Sequence, residues 1–368
     1  MRLALAAIVM ALLAQSGKPP EPQRPATQTP LKVLVDSLPD PESIGGLRGT
    51  DAERWLQVNQ DAPSYKSGVI DTQEILRQID SQGPQNLPEW VMLDFEDPFF
   101  KDLAAADGTP ERTRAVSSML ATLRAAKARW PGVKFGFYGL PNLPFWVEGK
   151  GWADLDADQK RAALAKAERD AAPVLAEADW VSPSVYAYYD PAMVRPGNPD
   201  SIRGTPKELR ENDRAWRSMQ VGLAVLMARG KPVLPTVCPF WAPGGVAPWC
   251  RWIDRRAFIE SQIEPVARMR AQGVMIWTGM KYRIGKVTDP ALESGATEKN
   301  FGVAEWRAAF ERDMLDSQKP ADWTDPEVRR RLERATTRAI VQTIVDIRAW
   351  ERAGALPAAD AHVVPPPG

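Results

Sequence analysis

The chain has 368 residues, 44% of them hydrophobic and 26% charged, which is enough for a sizeable globular core. Its 47 basic and 47 acidic residues cancel, so the charge footprint of a nucleic-acid binder is missing. A single histidine, His362, excludes Ser-His-Asp and Cys-His catalysis and histidine-based zinc sites, and leaves proton transfer to carboxylates, tyrosine or lysine.

The N-terminus comes first. Met1-Arg2 precedes an apolar run from Leu3 to Leu13, followed by Ala14-Gln15-Ser16. A positive start, a short apolar stretch and small residues are the pattern of a signal peptide, here over residues 1–16. Eleven apolar residues fall short of the roughly 20 that a bilayer span needs. Residues 17–30, with five prolines after Lys18, are expected to be a disordered spacer. A secreted or periplasmic protein with no membrane span in its mature form is therefore expected.

From residue 31 short apolar runs alternate with helical stretches. Strands are predicted at Leu31–Val35, Trp90–Asp94, Val133–Tyr138, Trp180–Tyr186, Pro232–Val237 and Val274–Trp277. Each is short, apolar and bounded by turn residues, as buried parallel strands are. A further strand is expected within Gly46–Ile79, with Ser67–Ile70 as its candidate. Helices are predicted over Glu111–Arg129, after Thr109-Pro110, and over Asp156–Ala178. Thr205-Pro206 opens another that runs to Arg229, and Arg255–Ala271 makes a fourth. Beyond Trp277 the pattern turns helical, at Val303–Asp316 and Pro326–Arg352.

Strand-helix alternation implies a parallel sheet with right-handed crossovers. The expected fold is an α/β barrel of the TIM type, complete or seven-stranded, over residues 31–316. A helical extension is expected at 317–355 and a disordered tail at 356–368. No glycine-rich phosphate loop follows any strand, and nothing calls for a metal or organic cofactor. The arginines at 329–331 and 334, interleaved with Glu327 and Glu333, read as a solvated helix face. Cys238 and Cys250 are the only cysteines, and in an exported chain they are expected to form one disulfide.

In such barrels the functional groups stand at the C-terminal ends of the strands. The strand at Trp90 ends Asp94-Phe95-Glu96, two carboxyls two residues apart and about 7 Å apart along the chain. Ionised together they would repel, so one should keep its proton near neutrality, as a general acid must. The next strand ends at Tyr138 and runs on to Asn142 and Trp146; the following one ends at Tyr186 and Tyr188, and the last at Trp277. Four of the chain's six tyrosines lie at these ends. With Trp241 in the cysteine loop, they offer flat surfaces on which sugar rings stack.

Four motifs in this order carry a family resemblance: Asp94-x-Glu96, Phe-Gly-Phe-Tyr138-Gly-Leu-Pro-Asn142, Pro-Ser-Val-Tyr186 and Val-Met-Ile-Trp277. Over residues 32–278 the chain resembles the hyaluronidases, glycoside hydrolase family 56. The resemblance implies a barrel enzyme that cleaves N-acetylhexosaminidic bonds, with Glu96 as the acid. The substrate's own acetamido oxygen acts as nucleophile, held by Asp94 and Tyr186, and Trp277 walls the pocket. The expected partner is a polysaccharide or oligosaccharide, bound by a monomer. The sequence departs from the family at Asp97-Pro98-Phe99, at Asn142 where an Asp is common, and in lacking a tyrosine in Leu234–Val237. Its balanced charge does not favour a polyanion groove. A non-catalytic sugar-binding barrel, and a glycosidase with its nucleophile at Asp36 or Asp190, fit the same residues.

Overall fold

The computed structural model describes residues 30–36, 50–59, 68–189, 205–241, 252–279, 297–298, 301–302 and 322–353. The expected signal peptide, spacer and C-terminal tail, the predicted helix at Val303–Asp316, Asp190 and Cys250 lie outside them.

Strands β1 (Lys32–Val35), β2 (Glu53–Asn59), β3 (Trp90–Asp94) and β4 (Lys134–Phe137) pair in parallel in sequence order. After β4 come a small antiparallel hairpin, β5 (Trp146–Val147) with β6 (Lys150–Gly151), and then β7 (Thr236–Val237) and β8 (Gly273–Ile276). A second two-residue pair, β9 (Thr297–Glu298) with β10 (Phe301–Gly302), stands apart from the main sheet. β8 pairs in parallel with both β7 and β1. The gap between β4 and β7 is closed by the extended segment 181–185. It bridges Tyr138 through Ser182, Val233 through Val181 and Thr236 through Ser184. Seven strand positions therefore close a ring among the described residues, and the fold is an α/β barrel.

Three sequence expectations change. The strand hidden before residue 80 is β2, not Ser67–Ile70. The strands predicted at Trp180–Tyr186 and Pro232–Val237 shrink to single bridges and two residues, because Pro183, Pro232 and Pro235 have no N–H to give a ladder. The helix predicted over Arg255–Ala271 breaks into α6 (Arg255–Phe258), a π turn (Ile259–Ile263) and α7 (Glu264–Arg268). Pro265 cannot donate to the preceding turn, and its ring would meet the Ser261 carbonyl of a regular helix.

The remaining helices, numbered separately, are α1 (Thr72–Asp80), α2 (Phe99–Leu103), α3 (Pro110–Arg129), α4 (Ala157–Leu175), α5 (Pro206–Ala228) and α8 (Pro326–Ala353). Capping sets their starts: Asp71, Asp156 and Thr205 each accept a backbone N–H of the first turn. Arg229, with φ of 51°, ends α5 in the left-handed region beside Gly230. Helix α8 seals the start of the barrel. Leu332, Ile340 and Ile347 are fully buried, each contributing about 1.5–3 kcal/mol. Arg255 pairs with Asp346, and Glu351 accepts the Leu31 N–H at 2.7 Å. On its outer face Arg330 and Arg334 pair with Glu327, and Arg329 with Glu333, as a solvated face does. Among the described residues no helix is long and apolar enough to cross a membrane.

Candidate active site

The site lies at the C-terminal end of the ring, where β3 delivers Asp94 as its last residue. Asp94 is 5% exposed, as expected of a side chain at the end of a wholly buried strand. Its Oδ2 accepts from Gln57 Nε2 at 2.6 Å, while its Oδ1 is buried and has no hydrogen-bond partner. Burial first, and the Glu96 charge second, push its carboxyl up to about 8, against the Gln57 amide, which favours the ionised form.

Glu96 stands just beyond the strand, reached by solvent at the mouth yet surrounded closely by protein. Burial and then the Asp97 charge push its carboxyl up. The two acids therefore titrate as a pair that retains a proton into the neutral range. The Glu96 charge also raises Tyr138 and Tyr188, so these hydroxyls stand near the acid.

The aromatic wall comes from the neighbouring strand ends. Tyr186 stacks on Trp277 at 5.5 Å between centroids, 21° from parallel, and lies 6.0 Å from Tyr138 and 6.3 Å from Tyr188. The Tyr138 hydroxyl donates to Ser184 Oγ at 3.2 Å, and Tyr188 meets the same oxygen at 3.4 Å. Burial holds the hydroxyls of Tyr138 and Tyr186 protonated far above neutrality. They can serve as hydrogen-bond donors and not as bases.

Each wall has its own support. Arg217, fully buried on α5, donates to the Val185 carbonyl at 3.0 Å and the Tyr186 carbonyl at 3.3 Å and pairs with Asp213. This anchors an extended segment that has little ladder of its own. Trp277 is held from the other side of the ring. Asp36, just past β1, accepts from Thr278 Oγ1 at 2.6 Å, Thr278 N at 3.1 Å and Gly279 N at 3.3 Å. Gly279 has φ of 56°, and a Cβ there would strike the Trp277 ring at 2.7 Å, so only glycine fits this turn without strain. Asp36 is thus engaged in holding a loop, a poor starting point for a nucleophile.

The structure thus gathers Asp94, Glu96, Tyr138, Tyr186, Tyr188 and Trp277. Three other sequence candidates have no contact with the acids among those seen. Asn142 is exposed and lines a neighbouring cleft of about 570 Å³, whose walls include Phe100, Leu103, Leu140 and Val147 and neither acid. Trp146 packs edge-on against Phe145 at 5.1 Å, and Phe145 in turn packs on a satellite apolar cluster that contains Trp152 and Trp216. Trp241 is half-buried against the main core. Cys238 is buried, its backbone N–H and C=O both bonded by Gln262, while its expected partner Cys250 lies outside the described residues.

Gln57 is the site residue that sequence reasoning misses. It joins Asp94 to Trp277, whose indole N–H donates to Gln57 Oε1 at 2.8 Å. The available signal is an amide amid the apolar residues of a strand, and it is hidden because β2 itself carries no clear strand pattern.

No protein-family model matches the chain, and no curated protein matches it. Among solved structures it is similar to bee venom hyaluronidase in complex with a hyaluronic acid tetramer, at 15% identity and a TM-score of 0.44, over 68% of this chain and 91% of that one. A monoclinic crystal structure of bee venom hyaluronidase is 18% identical with a TM-score of 0.40, over 57% and 69%. A GH18 chitinase from Pseudoalteromonas aurantia is 14% identical with a TM-score of 0.38, over 64% and 74%. Likeness of this size has no bearing on activity.

Proposed function

We propose that the chain is a secreted glycoside hydrolase of the hyaluronidase-like type. It cleaves N-acetylhexosamine-containing polysaccharide with retention, by substrate assistance. The observation that carries this is the proton-sharing pair Asp94 and Glu96, set on one strand end beside the Tyr186–Trp277 stack. Two acids so close in sequence cannot flank a glycosidic bond from opposite sides, as enzymes with a carboxylate nucleophile require. Attack by the substrate's own acetamido oxygen removes that need.

In this mechanism Glu96 gives its proton to the leaving oxygen as the acetamido oxygen bonds to the anomeric carbon and the glycosidic C–O bond breaks. The product is a cyclic oxazolinium ion. Glu96, now ionised, takes a proton from a water, and that water opens the ring on the face the leaving group left. In this step the proton that the pair retains sits on Glu96, and the ionised Asp94 accepts the acetamido N–H on Oδ1, its buried atom without a partner. The Tyr186 hydroxyl donates to the acetamido oxygen, and Trp277 covers the methyl group.

Glu96→Gln tests this. A reducing-end assay over a panel of N-acetylated glycans should show turnover by the parent protein and a loss of about 10²–10⁴-fold in the variant. Oligosaccharide binding should persist in the variant, and a thiazoline analogue of the cyclic ion should inhibit the parent. Undiminished turnover by Glu96→Gln would sink the proposal. So would binding of glycans by the parent with no cleavage of any, the behaviour of a sugar-binding barrel.

A further inference from the structure

Gln57 is half-buried in the middle of β2, with both ends of its amide engaged: Oε1 accepts from Trp277 Nε1 at 2.8 Å, and Nε2 donates to Asp94 Oδ2 at 2.6 Å. An indole nitrogen can only donate. The amide oxygen must therefore face Trp277, which leaves the NH₂ facing Asp94. Neither end is free to exchange. Asp94 Oδ2 is then held as an acceptor, and because a carbonyl oxygen accepts better than a hydroxyl oxygen, protonation of Oδ2 is disfavoured. A proton on this carboxyl is favoured on Oδ1, the buried atom without a partner.

We propose that Gln57, held by Trp277, is a positioning residue that locks the rotation of the Asp94 carboxyl and reserves Oδ1 as the one atom offered to a ligand, in a role that rests on the acetamido mechanism proposed above. Oδ1 is a hydroxyl donor when the carboxyl is neutral and an acceptor of an N–H when it is ionised. Without the lock, the carboxyl could turn either oxygen to the cavity, and the proton could sit on the wrong one. The same residue ties the aromatic wall to the acid pair, so Trp277 sets the acid's orientation as well as the shape of the pocket.

The ionisable groups around this carboxyl come from three places. Glu96 lies on its own chain segment, Tyr138 just past β4 and Tyr186 on the segment after α4, with Tyr188 next to Glu96 and Tyr138. Cys238 acts on Tyr186, Arg217 on Tyr188 and Asp97 on Glu96. Asp94 is thus the group expected to titrate near neutrality at the site, with Glu96 raised beside it.

The experiment is a carboxyl ¹³C NMR titration of the full chain with labelled aspartate, using Asp94→Asn to assign the signal. In the parent one aspartate should titrate near 8. Gln57→Met keeps the length of the side chain but removes the donor to the ionised form, and should move that midpoint up by about one pH unit. Trp277→Phe keeps a ring and removes the indole N–H, which frees the amide to turn. It should move the midpoint the same way by a smaller amount. The proposal is overturned if either variant, shown folded by circular dichroism, leaves the midpoint in place or lowers it. Turnover of a β-linked N-acetylhexosamine tetramer is followed on the same samples. NMR shifts without turnover by the parent would uphold the Gln57 lock and end the glycosidase proposal, while turnover with a fixed midpoint would do the reverse.

Discussion

Asp94→Asn replaces a single oxygen with an NH₂ at the floor of the site. The carbonyl of the new amide can still accept from Gln57, and its NH₂ takes the place of the unpartnered Oδ1. What changes is the ionisation. In the unfolded chain this carboxyl loses its proton near 3.8, in the folded protein only at about 8. Between those values the folded state holds the extra proton, so stability falls as pH rises through the window and levels off above it. Four units at 1.36 kcal/mol each set a ceiling of about 5 kcal/mol on the destabilisation at pH 8.5, and almost none at pH 4. The amide variant is free of this cost. Urea denaturation followed by the fluorescence of the fourteen tryptophans, at pH 4, 6 and 8.5, measures the gap. It should widen steadily with pH, with the Asp94→Asn variant the more stable protein at the alkaline end. A gap that does not vary with pH, or a variant weaker than the parent at pH 8.5, would refute the placement of a neutral, buried acid at this position.

Two substitutions test the frame around the site. Gly273→Ala puts a Cβ into the Lys32 carbonyl at the seam where β8 meets β1, and the obstacle is backbone. It should cost at least about 1–3 kcal/mol and lower the melting temperature by several degrees; an unchanged melt would mean the ring is not closed there. Arg217→Met strips the Val185 and Tyr186 carbonyls of their donor and leaves Asp213 a buried, unpaired acid. A loss of about 3–5 kcal/mol in urea denaturation is expected, partly recovered by adding Asp213→Asn. No recovery would contradict the buried-charge origin of the loss.

What can be read from the chain follows from which faces of each strand are buried. β1, β3, β4 and β8 are covered on both sides, and such strands appear as unbroken apolar runs. β2 is part of the same sheet but its run is interrupted. Glu53 at its start pairs with Lys32 and accepts from the Trp90 indole, and Gln57 serves the site. Its polar residues are there because of partners elsewhere in the fold, and no local pattern announces that. The proline-bearing strands fail in the opposite way: their apolar runs promise more ladder than their missing N–H groups can supply. The acids and Tyr138, Tyr186 and Trp277 are legible because position at a strand end is enough to nominate them. Gln57 is not, because its meaning lies in two contacts, 37 and 220 residues away along the chain.

The loop that carries Trp277 hangs from Asp36, so the pocket's last wall is fastened to the first strand of the ring. A chain emerging from its N-terminus has the acid pair early, yet it has no enclosed pocket until residues near 279 arrive and the circle shuts. On the proposed function, partly made or partly folded copies should therefore be inert toward any glycan they meet. Competence would arrive in one step, at the end of folding, rather than growing by degrees.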